Sequence, residues 1–198
     1  MTDRQTLDVY NASVKQYTET EMTDLHQQAL EDFIPRVRRV GRVLDLGCGP
    51  GLHARQMMAA KLVVDAVDAT PGFIAAAQRR GVSARLATFE DVPGPKDRYH
   101  GIWASFSLLH APRASVAGHV ARIAKALAPE GPFFLGMKLG TGEERDGIGR
   151  FYCYFSEAEL RDMLENAGLR VDRSVTGVGK GLAGSDDAYA LLTAVKDA

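Results

Sequence analysis

Cysteine is nearly absent from this sequence: the two that occur, Cys48 and Cys153, stand far apart and neither belongs to a CxxC pair. That argues against a disulfide framework and against a zinc site, and a reducing compartment, the cytoplasm, is expected. Net charge is nearly absent too. The 24 Lys and Arg and the 25 Asp and Glu are spread along the chain and leave a formal charge of −1, which gives no electrostatic reason to expect nucleic acid or a membrane surface as partner. A small or locally recognised partner molecule fits better. No apolar run approaches the ~18 residues needed to span a bilayer. The opening MTDRQTLDVY lacks the basic and then apolar pattern of a leader, so a soluble protein is expected. Low-complexity linkers and internal repeats are missing as well. What is present, 198 residues of 45% hydrophobic content, suffices for a core without staples. The expectation is one domain over 1–198, with a helical cap over 1–40 and the core over 41–198.

Residues 5–35 read as two helical stretches, the second carrying Met22, Leu25, Leu30, Phe33 and Ile34 at roughly helical spacing before Pro35. From Arg42 the pattern becomes a short apolar run, VLDL, then a glycine-rich turn, then the amphipathic LHARQMMAAK. The unit repeats as LVVDAVDA and TPGFIAAAQRR, with Thr70 as N-cap, Pro71 at the first helical position and Gly81 as the stop. A third strand around SARLA leads into the polar TFEDVPGPKDR, and a fourth, HGIWASF, leads through SLLHAPR to a helix over about 115–128. The apolar FFLGMKL is a fifth strand. GTGEERDGIGR has no apolar period and reads as a mobile loop. Ser156 and Glu159 form a capping-box pattern opening a helix with Leu160, Met163 and Leu164 on one face and Gly168 at its end. LRVDRSV and AYALLTAV are joined by a segment too short for a crossover helix, so they form an antiparallel hairpin. The fold class is therefore α/β: a doubly wound, Rossmann-like, mostly parallel seven-stranded sheet with an antiparallel C-terminal hairpin and N-terminal helices. Ligands of such sheets bind beyond the carboxyl ends of the strands, near the switch in strand order.

The chemistry concentrates in VLDLGCGPG, where Asp45 precedes Gly47, Gly49 and Gly51 at a strand-to-helix turn. Glycines there permit positive φ and let the backbone approach a ligand. A dinucleotide fingerprint, GxGxxG, would put its third glycine at position 52, but Leu52 stands there and the pattern is D-x-G-x-G-x-G. The acid disfavours a pyrophosphate by repulsion and suits an ammonium group, directly or through water. Asp68 ends the second strand about 20 residues further on, where a carboxylate accepts hydrogen bonds from ribose hydroxyls. A carboxylate in that position occurs in nicotinamide enzymes too.

D-x-G-x-G-x-G closely resembles the first motif of class I S-adenosylmethionine-dependent methyltransferases. TFEDVP resembles the segment of that family that holds adenine, with a departure: Thr88 stands where an acid is often found. ASFSLLHAPR resembles the next motif, which lines the methyl end of the cofactor and the acceptor pocket. YNASVKQY resembles the tyrosine-bearing helix of many small members, and RFYCYFSEAELRDMLENAGL resembles a stretch of small bacterial members of the type-11 and type-12 groups. The resemblance implies S-adenosylmethionine as cofactor, S-adenosylhomocysteine as product and a small-molecule methyl acceptor. The implied cofactor-binding residues are Asp45, Gly47, Cys48, Gly49 and Gly51 in the turn, and Asp68 and Ala69 after the second strand. Thr88, Phe89 and Ser105 follow, and Tyr10 and Tyr17, two helical turns apart on one helix, cover the cleft. In-line methyl transfer needs alignment and exclusion of water more than dedicated catalytic groups.

Of five histidines, His26, His100 and His119 read as surface or helix residues, His53 as a residue that helps position the cofactor, and His110 as the candidate catalytic group. No spacing suggests a metal ligand set. The aromatic run Phe151, Tyr152, Tyr154 and Phe155 is either core or a wall of the acceptor pocket. The glycine-rich GTGEERDGIGR segment and the N-terminal helices are expected to close over the cleft. Two other readings share these residues: an NAD(P)-dependent oxidoreductase and a non-catalytic S-adenosylmethionine-binding protein.

Overall fold

The computed structural model describes residues 3–19, 23–91 and 99–197. Three N-terminal helices, α1 (Arg4–Ala12), α2 (Val14–Thr18) and α3 (Asp24–Phe33), precede the sheet. Then alternate β1 (Arg42–Leu46), α4 (Leu52–Ala59), β2 (Val63–Asp68), α5 (Pro71–Arg79), β3 (Ala84–Leu86), β4 (Gly101–Ser105), α6 (Arg113–Ala126) and β5 (Pro132–Lys138). A short pair, β6 (Glu143–Arg145) and β7 (Phe151–Cys153), is followed by α7 (Glu157–Asn166), β8 (Leu169–Lys180) and β9 (Asp186–Lys196). The main sheet has seven strands in the order β3-β2-β1-β4-β5-β9-β8. β1 to β5 pair in parallel, whereas β9 runs antiparallel to both β5 and β8. The order reverses between β1 and β4, at the centre, so the cleft opens at their carboxyl ends.

Alternation along the central strands explains why both faces are covered. Ile102 and Ala104 of β4, with Phe133, Leu135 and Met137 of β5, pack beneath α6 and α7. Trp103 and Phe134 point the other way, toward Leu30 and Phe33 of α3 and Met57 of α4. The Trp103 and Phe134 rings stack at 3.6 Å and 9° and are wholly buried, so this face is closed by the largest apolar surfaces available. Ser156 and Glu159 complete both bonds of the capping box at the start of α7.

Several sequence expectations change in detail. The N-terminal region holds three helices, because the chain breaks at Ser13 (φ −106, ψ 15), and Met22 lies outside the described residues. GTGEERDGIGR is not structureless: Glu143–Arg145 pairs antiparallel with Phe151–Cys153. Its three strand residues are all exposed, so no apolar period could announce them. The final strands extend through Gly177 and Gly179 to Lys180, because a Cβ on Gly177 would meet the Tyr189 ring at 2.6 Å, and glycine makes room for that ring. Thr70 takes the N-cap position of α5 without a capping bond; Asn11 of α1 accepts the Gly72 N–H instead, at 2.9 Å. No described helix is long and apolar enough to cross a membrane.

Candidate active site

The turn after β1 is anchored from below. Gly47 N–H and Cys48 N–H both donate to Val67 O, at 2.8 and 2.9 Å, which pins the loop to β2. Gly47, Gly49 and Gly51 all have positive φ. Their reasons differ. A Cβ on Gly47 would sit 2.3 Å from the Ser107 Cβ, whereas one on Gly49 would meet nothing closer than Tyr17 Cε1 at 3.7 Å and would stand in the cleft. Gly47 is thus a packing glycine and Gly49 a cleft glycine. A Cβ on Gly51 would come 3.0 Å from the Ala77 Cβ of α5.

Asp68 accepts Gly49 N–H on Oδ2 at 2.9 Å and Thr70 N–H on Oδ1 at 2.8 Å. Burial pushes its carboxyl upward, and these backbone donors oppose that push. Asp45 lies behind the loop, 1% exposed, with Oδ2 lacking any partner. Burial first, and the Asp68 charge second, raise Asp45 to about 8. A buried acid left with an empty acceptor position is suited to a cation brought by a ligand.

Two cavities meet at this loop, a smaller and a larger, both open to solvent. Tyr10, Tyr17, Gly47, Gly49, Ser105, Phe106 and His110 line both. The smaller runs past Asp68, Ala69, Phe73, Thr88 and Phe89. Here the Thr88 hydroxyl and N–H both donate to Asp91 Oδ2, and the Phe89 carbonyl accepts from Arg122. The larger cavity runs past Cys48, His26, His53, Lys138, Arg150 and Tyr152. Cys48 donates its thiol weakly to Gly49 O at 3.5 Å, and burial pushes that thiol far up, so it is no nucleophile.

Tyr10 and Tyr17 reach the cleft from two helices rather than one; their rings meet edge to face at 5.6 Å and both pack on Phe73. The β6–β7 pair and α1 meet over the cleft through Arg145 with Asp3 at 2.8 Å and Phe151 N–H to the Thr6 hydroxyl at 2.8 Å. Phe106 holds φ at +49, a left-handed conformation that costs a non-glycine residue about 1–2 kcal/mol. The strain places its ring against both cavities.

His110 is buried with both ring nitrogens engaged. Nδ1 faces the Phe151 carbonyl at 2.6 Å and must donate to it, so Nε2 accepts from the Tyr10 hydroxyl at 2.7 Å. Arg150 Nη1 donates in turn to the Tyr10 oxygen at 3.1 Å. Burial lowers His110 to about 4. The sequence pointed to His110 as the catalytic group, but a weak base whose lone pair is occupied is poorly placed to take a proton.

His26 is the larger surprise. Expected as a surface or helix residue, it lies on α3 but points inward, with Nε2 2.8 Å from the Ser105 hydroxyl and its ring edge to face with Phe106 at 5.0 Å. Its neighbour His53 has a buried Nε2 with no partner. His119 is also buried, against Phe89. Tyr152 lines the larger cavity, while Phe155 packs in the core, so the aromatic run serves both purposes. Lys138, Arg150, Asp187 and Tyr189 were not legible as site residues: the strand and the charged segment that carry them give no local signal, and only the β9 return brings them here. No group of three metal-ligating side chains is assembled among the described residues.

A methyltransferase-domain family profile matches residues 43–131, the stretch from β1 to the start of β5 that carries the glycine loop, Asp68 and Ser105. The structure of 1,6-didemethyltoxoflavin-N1-methyltransferase from Burkholderia thailandensis, bound to its acceptor and S-adenosylhomocysteine, superposes with a TM-score of 0.75. It is 25% identical and covers 97% of this chain and 85% of that one. Residues 43–131 form a methyltransferase domain, and the chain shares its fold with S-adenosylmethionine-dependent methyltransferases. Magnesium protoporphyrin IX methyltransferase from Synechocystis PCC 6803, with bound S-adenosylmethionine, shares the fold of this chain at a TM-score of 0.70 and 17% identity, covering 100% and 99% of the two chains. Trans-aconitate 2-methyltransferase of Mycobacterium tuberculosis is 40% identical over 67 residues, 30% of this chain. The match spans 25% of that relative's length. The cofactor of these relatives is S-adenosylmethionine, and the residues present fit it: Gly49 leaves the space a side chain would fill, and Asp45, on neither cavity wall, holds an orphaned acceptor just behind the loop.

Proposed function

We propose that this methyltransferase binds S-adenosylmethionine in the smaller cavity and transfers its methyl group to a small-molecule acceptor held in the larger one. The observation that carries the reading is the meeting of two cavities at one loop, with Gly49, Ser105 and Phe106 on both walls. When bound, S-adenosylmethionine supplies a methyl group on a sulfonium, already a strong electrophile. The chain's own tasks are to bind, to orient and to exclude water. Asp45 holds the ammonium, directly or through water, and Asp68 takes the ribose hydroxyls on the lone pairs its two backbone donors leave free. Gly47, Cys48, Gly49 and Gly51 bring the backbone close. Ala69, Thr88 and Phe89 border the adenine side; with Thr88 turned to Asp91, it is the Phe89 ring that contacts the base. Ser105 marks the methyl end, and Tyr10 and Tyr17 cover the cleft from the 1–40 cap above a 41–198 core. His110 is a positioning residue that holds Tyr10 rather than a base.

The acceptors named for two relatives, trans-aconitate and 1,6-didemethyltoxoflavin, are both small molecules, which supports an acceptor of that size. The two buried free thiols suit a reducing compartment, the cytoplasm. The relatives named above are methyltransferases, which supports this reading over a nicotinamide enzyme. Incubation with S-adenosylmethionine and a metabolite mixture should release S-adenosylhomocysteine well above the acceptor-free rate. Tight S-adenosylhomocysteine binding with no turnover on any fraction would favour a non-catalytic binding protein instead.

A further inference from the structure

The larger cavity carries two buried cations that cofactor binding leaves without a task. Lys138, at the end of β5, has a side chain only 10% exposed; its Nζ lies 2.7 Å from Asp187 and 3.9 Å from the centre of the Tyr152 ring. Arg150 has a side chain 3% exposed and sits over the same ring at 5.2 Å. It pairs with Asp146 at 2.7 Å, and Asp146 is not on the cavity wall. The charged residues on the wall are Lys138, Arg150, Lys180 and Asp187, an excess of positive charge. Burying cations is costly unless something answers them. Each still has donors to give: an ammonium carries three N–H groups, and of the five on a guanidinium three are taken by Asp146 and Tyr10. The apolar rings of Tyr10, Phe106, Tyr152 and Tyr189 line the same cavity.

None of the three histidines described on the same wall is a proton acceptor matched to neutral pH. Burial lowers His26 to about 4, His53 to about 3 and His110 to about 4. An acceptor that had to lose a proton would find no strong base among these histidines, whereas one that arrives ionised needs none.

We propose that the acceptor is a small carboxylic acid with an apolar body, bound as its carboxylate by Lys138 and Arg150 and methylated on a carboxylate oxygen. The inference rests on the proposed methyl transfer. One carboxylate oxygen accepts from the two cations while a lone pair of the other forms the new oxygen–carbon bond. The carbon–sulfur bond breaks with its electron pair kept by sulfur. One negative and one positive charge disappear together, and no proton has to leave. A desolvated site favours such a step, because it ends with two neutral products.

The test is calorimetry on the protein saturated with S-adenosylhomocysteine, using benzoate, salicylate and indole-3-carboxylate, each beside its amide and the corresponding amine. At least one acid should bind about tenfold more tightly than its amide, the factor expected for a charge-assisted hydrogen bond. Lys138→Gln should erase that preference, and Lys138→Gln with Asp187→Asn, which leaves no unpaired buried acid, should do so in a protein that keeps its fold. S-adenosylhomocysteine affinity should be unchanged in both. Product formed from an acid of the panel should release its methyl group as methanol in alkali, as an ester does. Amides or amines binding as tightly as the acids, an alkali-stable methyl group, or loss of S-adenosylhomocysteine binding with Lys138→Gln would each overturn the proposal; the last would assign the cations to the cofactor. Failure of the unaltered protein to bind S-adenosylhomocysteine would instead overturn the function proposed above.

Discussion

The Tyr10 hydroxyl donates to His110 Nε2 across 2.7 Å and accepts from Arg150 Nη1 across 3.1 Å, so three segments far apart in sequence meet at one oxygen atom. The first helix, the loop after β4 and the end of the charged segment are held as one wall of the cleft. A hydroxyl that both donates and accepts in a buried place is costly to delete, because two partners lose their bond at once.

Tyr10→Phe should therefore destabilise the protein by about 1–3 kcal/mol, the cost of leaving buried polar partners unsatisfied. A thermal melt followed by circular dichroism reads it. His110→Ala should raise KM for the acceptor more than it lowers kcat, and the shape of the kcat pH profile should not change. A limb of that profile vanishing in His110→Ala would mean that His110 exchanges a proton after all.

Gly47 and Gly49 should fail in different ways. Gly47→Ala drives a Cβ to 2.3 Å from the Ser107 Cβ, so it should lower the melting temperature markedly, and Gly47→Ala with Ser107→Gly should recover part of the loss. Gly49→Val has room in the fold for its Cβ. It should cost about 1–2 kcal/mol for its left-handed backbone yet abolish S-adenosylhomocysteine binding. Binding that survived in Gly49→Val would remove the loop from the cofactor site.

Asp45 predicts a pH dependence with a definite sign. Its carboxyl lies near 8 in the folded, ligand-free protein against an ordinary value of 3.8. A raised carboxyl contributes stability that is fully present below 3.8 and is lost as pH rises toward about 8. The difference in melting temperature between Asp45→Asn and the unaltered protein should thus widen in favour of the variant over that window. The ammonium of the ligand requires the ionised acid, so S-adenosylhomocysteine affinity should tighten as pH approaches 8 and the Asn variant should bind weakly without that trend. Equal slopes for the two proteins would separate Asp45 from the ammonium.

The strand-and-helix alternation was legible because period-2 and helical apolar patterns are local, and the glycine loop was legible because backbone approach demands glycine at fixed spacing. Asp68 could be found for the same reason, one strand end after another. What escaped was whatever depended on distant partners. His26 looks like a polar helix residue until Ser105 and Phe106 are placed against it. Asn11 replaces Thr70 as the cap of α5 only because α1 packs there. The exposed Glu143–Arg145 strand takes its conformation from Phe151–Cys153, not from its own residues. Lys138 and Arg150 reach one cavity from separate segments of the chain, and no spacing in the sequence joins them.

Isothermal titration of S-adenosylhomocysteine and of NADH into the unaltered protein and into Asp68→Asn tests the central claim most directly. One molecule of S-adenosylhomocysteine should bind per chain, and Asp68→Asn should weaken it by about 10- to 100-fold, the range for hydrogen bonds to a charged group. NADH should not bind. Binding of NADH in place of S-adenosylhomocysteine, or an Asp68→Asn protein that binds S-adenosylhomocysteine as tightly as before, would contradict the account.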